Sequence, residues 1–186
     1  MIRVDRFIPA ALRACPRRGP AARHLFVLAG VTALSAPLLA LLYHYLGYAA
    51  AGTVVLGGAL VMVAAPFTLN AGVKLAPARD LFIGALYALK IWLALHLGGL
   101  GAPTLGWFAL CPMIALLVGG LRPGLAWAGI VLLTLMALFA HERSAGALQP
   151  HPVSDPLALQ LAGVVGLVVL ASVIVGLAVG AGKPRS

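Results

Sequence analysis

The chain has 186 residues, of which 62% are hydrophobic and only 9% charged, with a mean hydropathy of +1.06. A water-exposed domain carries about 25% charged residues, so composition excludes an ordinary soluble fold. Thirteen Lys and Arg against four Asp and Glu give a net charge of +9, but apolar runs separate the basic residues and no basic face can be assembled, which excludes nucleic acid as a partner.

The chain opens with a basic leader, residues 1–24, carrying Arg3, Arg6, Arg13, Arg17, Arg18 and Arg23. It does not read as a cleaved secretory signal, because the apolar run behind it far exceeds a signal core of roughly 7–15 residues. A membrane-crossing helix needs about 20 apolar residues, and six stretches approach that length: 25–46, 48–69, 81–97, 105–121, 124–140 and 157–179. The first two form one uncharged block, which we break at Leu46-Gly47-Tyr48, where a glycine lies among Tyr43, Tyr45 and Tyr48. The longest polar connection, 141–156, holds Pro150, Pro152 and Pro156 and reads as an irregular loop.

With six crossings, the leader, Lys74 and Arg79, Arg122, and Lys183 with Arg185 all fall on one side, eleven of the thirteen basic residues. The opposite side has only Arg143, and Lys90 stays inside the third stretch. Basic residues are retained in the cytoplasm, so both termini are expected there, in a multi-pass protein of a bacterial inner membrane. Trp92 and Trp107 then fall toward outer ends and Trp127 toward an inner one. The runs lack barrel alternation. The expected fold is therefore all-α: a polytopic bundle of six transmembrane helices over 25–180, with a short cytoplasmic tail, 181–186. Gly176 and Gly180, at small-xxx-small spacing, would allow close helix approach and permit a homodimer. No internal repeat is visible, which argues against an inverted-repeat transporter. Cys15 and Cys111 lie in leader and span respectively and are not expected to pair.

Lys90 is the costliest residue, since a charge at mid-span costs roughly 2.5–3.5 kcal/mol. No carboxylate shares its depth. Its expected neighbours are Tyr87, the hydroxyls of Thr134 or Ser35, and the Phe108 carbonyl, which Pro112 deprives of its helical hydrogen bond. It reads either as a ligand or anion contact and proton-responsive amine, or as a lysine that snorkels or pairs with backbone. His44, His96, His141 and Glu142, with His151 and Asp155 nearby, gather on the outer side. Imidazole and carboxylate suit a divalent metal or a haem. The same groups also suit interfacial solvation or pH sensing. Cys111-Pro112-Met113 reads as packing. No nucleotide-binding, nucleophile-elbow or zinc-protease motif occurs and no span carries Asp or Glu, so an enzyme is not expected.

From 95 to 139 the chain runs LHLGGLGAPTLGWFALCPMIALLVGGLRPGLAWAGIVLLTLMALF. Gly98, Gly99 and Pro103 form a short outer loop, followed by a span with Pro112, the basic turn at Arg122 and another apolar span. This resembles the multi-span membrane input domain of bacterial sensor histidine kinases, and more distantly their redox-sensing, quinone-responsive type. Ala102 and Thr104 stand where that loop has Asn and Phe. The resemblance implies a sensor or regulatory module responding to a small apolar or redox ligand, with quinone as the cofactor-like candidate and a kinase acting in trans, or an excised input domain. The ligand contacts expected are Lys90 with Gly98, Gly99 and Pro103, flanked by Trp92 and Trp107. A second class of function fits the same size: a six-helix transport component, such as the substrate-binding subunit of a vitamin importer, with Lys90 receiving the substrate anion.

Overall fold

The computed structural model describes residues 7–13, 15 and 18–181. Arg3, Arg6, Arg17, Lys183 and Arg185 lie outside the described residues, as does the expected tail beyond residue 181. Among the described residues all regular structure is helical. A short α1 (Ala10–Arg13) precedes α2 (Arg18–Tyr45), α3 (Ala49–Ala64), α4 (Leu75–His96), α5 (Leu110–Gly119), α6 (Leu121–Ala145) and α7 (Pro156–Ala181), with tighter 3₁₀ turns at Ala65–Ala71, Gly99–Gly101 and Leu105–Ala109.

Four segments are long and apolar enough to cross a membrane: Arg18–Tyr45, Ala49–Ala71, Leu121–Ala145 and Pro156–Gly180. That is the signature of a membrane protein. The third expected crossing lies in α4, which begins at Leu75 rather than 81 and so takes in Arg79 and Asp80 beside Lys90. Its three charges fall well inside the helix, whereas the three of α6, Arg122, Glu142 and Arg143, lie at its ends. The fourth is shorter than expected. Its first third is the 3₁₀ stretch Leu105–Ala109, and α5 itself is only ten residues. Pro112 supplies no N–H to Phe108, and the backbone ahead of it tightens to i+3 bonding: the Leu110 amide donates to both Phe108 and Trp107 carbonyls.

The expected break between the first two spans is present, with α2 ending at Tyr45, α3 starting at Ala49 and Gly47 between them at φ +80°. Short connections make neighbouring helices antiparallel hairpins, α2 with α3 and α5 with α6, the latter joined through Gly120 alone. Connections consequently collect at two ends. At one end the His151 amide donates to the His96 carbonyl (2.9 Å) and the Ser154 amide to the Leu46 carbonyl (3.1 Å), tying the 146–155 segment to the α2–α3 turn and the end of α4. At the other end Phe7, ahead of α1, packs on Phe26 and Phe67 at centroid distances of 6.4 and 6.2 Å.

The largest fully buried side chains come from α2, α4 and α5 with the 3₁₀ turn ahead of α5, among them Leu25, Leu28, Phe82, Ile83, Leu93, Phe108, Leu110 and Ile114. α6 and α7 are peripheral and leave most of their apolar side chains exposed, among them Leu132, Leu133, Leu161 and Val168. Such rows are normal against lipid tails and would be a liability in water. Gly176 and Gly180 meet nothing within 4 Å, so the close approach expected there does not occur within this chain. It occurs at Gly163 and Gly166 instead.

Candidate functional site

Lys90 faces inward from the second half of α4 and is 4% exposed. Its Nζ sits 3.9 Å from the centroid of the Trp107 ring. Trp107 lies in the 3₁₀ stretch before α5, and its indole N–H donates to the Gly163 carbonyl of α7 at 2.9 Å. α7 comes this close because it presents glycine there. A Cβ at Gly166 would lie 2.7 Å from the Trp107 ring, and one at Gly163 would press on the Pro103 carbonyl at 3.1 Å. A desolvated cation over an indole face contributes roughly 2 kcal/mol or more, so the ring partly offsets the cost of burying the ammonium.

Two of the neighbours expected for Lys90 are committed to each other: the Tyr87 hydroxyl bonds the Thr134 hydroxyl of α6. The third, Ser35, shares with Lys90 a small internal chamber of about 60 Å³ between α2, α3, α4, α5 and α7. Its walls are largely apolar, including Leu28, Val55, Met62, Phe82, Leu93 and Ile114, and its polar groups are Thr32, Ser35, Tyr43, Lys90 and Thr104. Thr32 and Ser35 bond back along their own helix, to Leu28 and Thr32 carbonyls. Thr104 does not: it is 5% exposed and its Oγ1 is buried without a hydrogen-bond partner. A buried polar atom left unpaired calls for an explanation, and Thr104 is one of the residues lining the chamber that holds the lysine. Cys111, fully buried, lies within electrostatic reach of Lys90.

The loop glycines play a different part. Gly98 and Gly99 have φ of +101° and +59°, a region that side chains other than glycine rarely occupy. A Cβ on Gly99 would also collide with the Glu142 carboxylate, which accepts the Leu100 amide at 2.8 Å. The loop is thus clamped to the end of α6, and Pro103 packs toward α7 above the chamber. Trp92 stands outside the chamber, stacked on His96 (4.1 Å) and near Tyr48 (6.0 Å), with His151 lying flat on Tyr48 at 3.9 Å. Of the six expected ligand contacts, Lys90 and Trp107 touch one another and line the chamber. Gly98, Gly99 and Pro103 belong to the turn that precedes Thr104 and do not line the chamber, and Trp92 belongs to an aromatic stack at the bundle end.

The metal candidates separate. His44 and His96 each turn Nδ1 to their own helix, to the Ala40 (3.3 Å) and Trp92 (2.8 Å) carbonyls. Glu142 is engaged at the loop, and His141 is exposed. Among the described residues no three His, Cys, Asp or Glu side chains gather into a metal-binding group. Thr104, Gly163 and Gly166 were not singled out from the sequence for this site. The available signal was the glycine content of α7, whose four glycines include Gly163 and Gly166 as well as Gly176 and Gly180. Comparison with known proteins finds no family model, no curated protein and no solved structure that matches this chain.

Proposed function

We propose that this protein is an integral membrane sensor or regulatory module, non-enzymatic, whose six helices cross a bacterial inner membrane with both termini in the cytoplasm. A small apolar or redox ligand occupies the Lys90 chamber, and α7 passes the occupancy on to a kinase in trans. One observation supports this reading above others: the buried lysine, the ring beneath it and the chamber walls are held together by α7, a helix that is otherwise lightly packed. Filling the chamber therefore bears on the helix that leads out of the bundle. The bundle-end loop, clamped by Glu142 and the 146–155 segment, keeps the rest fixed. Quinone is one candidate occupant, and a homodimer through the exposed faces of α6 and α7 is compatible with this arrangement.

The test is a distance measurement between spin labels at Leu38 on α2 and Val169 on α7, both exposed, in reconstituted protein titrated with candidate ligands. A sensor changes that distance on ligand binding. The second reading, a substrate-binding subunit of an importer, is favoured by the same chamber, with Lys90 as the anion contact. Nanomolar capture of a water-soluble vitamin in a thermal-shift screen, with no change in the α2–α7 distance, would replace sensing by transport.

A further inference from the structure

We infer that the chamber is the headgroup end of a site for a single-chain carboxylate amphiphile, of which a free fatty acid is the simplest, entering from the bilayer between α2 and α7. This rests on the ligand-binding reading above and names the ligand's chemical class. Charge is the first argument. The chamber wall contains one ammonium, Lys90, together with hydroxyl side chains, and no carboxylate. A ligand carrying negative charge complements it best, and a charge-assisted hydrogen bond is the strong kind in a dry site.

Donor geometry is the second. Thr104, whose Oγ1 is buried with no partner, lines the same chamber as Lys90. A carboxylate has two acceptor oxygens, one for the ammonium and one for this hydroxyl. An alcohol oxygen can accept twice but carries no charge, and an amine offers a single acceptor, so neither bonds the ammonium as strongly.

Size and access are the third. An engineered cavity of about 150 Å³ is what holds a benzene ring, and this chamber, at about 60 Å³, favours a slender head over a ring. Its wall is only half-buried on α2 (Thr32, Ser35, Leu39) and on α7 (Ala162, Leu170). The chamber therefore lies nearest the lipid-facing surface along the α2–α7 seam, where an acyl chain extends outward past Leu39 and Leu170.

The test uses the 186-residue chain with Trp92→Phe and Trp127→Phe, so that of its tryptophans only Trp107 remains, in phosphatidylcholine nanodiscs. The probes are hexadecanoic acid brominated at carbons 4 and 5, the same acid brominated at carbons 15 and 16, and hexadecanol brominated at carbons 4 and 5. We expect saturable quenching by the first, an affinity at least tenfold above that of the alcohol, and weaker quenching by the tail-brominated acid. Lys90→Met should bring the acid down to the alcohol's level, Lys90→Arg should keep most of the preference, and Thr104→Val should weaken the acid about threefold to tenfold. Non-saturating quenching, equal quenching by acid and alcohol, or an acid preference that survives Lys90→Met overturns the proposal. Should Lys90→Met not fold, Thr104→Val and the bromine positions decide. Acid-selective binding without any α2–α7 distance change upholds the ligand class and overturns sensing. A distance change driven by a short-chain quinone, with no acid selectivity, does the reverse.

Discussion

Replacing Lys90 by Met separates a ligand contact from a structural lysine, because the two roles predict opposite signs of stability. Burying an ammonium at this depth costs roughly 2.5–3.5 kcal/mol. The Trp107 ring, 3.9 Å from Nζ, returns about 2 kcal/mol. No carboxylate borders the chamber to return more. Methionine has nearly the length and volume of the apolar part of lysine and adds little packing strain. The balance predicts that Lys90→Met stabilises the ligand-free protein by about 0.5–1.5 kcal/mol, in line with buried charges elsewhere that are tolerated rather than stabilising. Reversible unfolding in bicelles, followed by steric trapping, measures this directly. A loss of more than about 1 kcal/mol would refute the reasoning, since it would show the lysine holding Trp107 and α7 in place. Stabilisation combined with loss of ligand response marks a residue kept for function at a cost to the fold.

Gly99→Ala should destabilise by about 1–3 kcal/mol, because its φ of +59° is strained for alanine and the new methyl meets Glu142. Gly47→Ala, also at positive φ but in open space, should cost only about 1 kcal/mol, and the difference between the two isolates the clamp. Trp107→Phe keeps a ring beside Lys90 but loses the bond to the Gly163 carbonyl. The expected cost is about 1 kcal/mol, with a wider α2–α7 distance in the spin-label measurement; an unchanged distance would show that α7 is held otherwise. Reporter fusions should place positions 73 and 120 in the cytoplasm and positions 47, 101 and 148 outside it, and the inverse pattern would refute the orientation. His151→Ala removes the ring stacked on Tyr48 and should speed proteolysis within 146–155, detected by mass spectrometry.

The helical architecture was legible because lipid leaves few options. Uncharged runs of the right length must become helices, and a glycine among tyrosines at 46–48 marked a turn that the backbone indeed makes. The ends of helices were less legible. α4 extends back through Arg79 and Asp80 because their side chains bond each other and Trp127 donates to Asp80 at 3.3 Å, so two charges cost little at a helix start. The chamber was legible only in part. Lys90 stood out by its charge, but helix spacing pointed to Tyr87, which turns to α6 instead. Its actual partner, Trp107, lies beyond a whole loop, and the pairing depends on the 3₁₀ stretch that Pro112 imposes. Thr104 looked like an absent aromatic ring in the resemblance, and only burial revealed it as an unpaired donor.

How much a ligand must contribute for this arrangement to signal can be bounded. A ligand shifts an equilibrium only by its differential affinity for the two states. Moving α7 from one part in ten to nine parts in ten needs about 80-fold, or roughly 2.6 kcal/mol. One hydrogen bond to a charged group is worth about 1.5–3 kcal/mol. A single carboxylate contact to Lys90 that exists only while α7 closes the chamber would reach this at the upper end of that range, and a second contact would secure it. The packing agrees with so small a requirement. α7 meets the rest of the bundle mainly through Leu159, Gly163, Ile174 and the half-buried residues beside them, so little apolar contact is at stake when it moves, and lipid tails replace what is lost. A deeply packed helix such as α4 would need several times that energy. The peripheral position of α7, taken with its hydrogen bond to Trp107, is what would let the proposed ligand, of one charge and one chain, act as a switch.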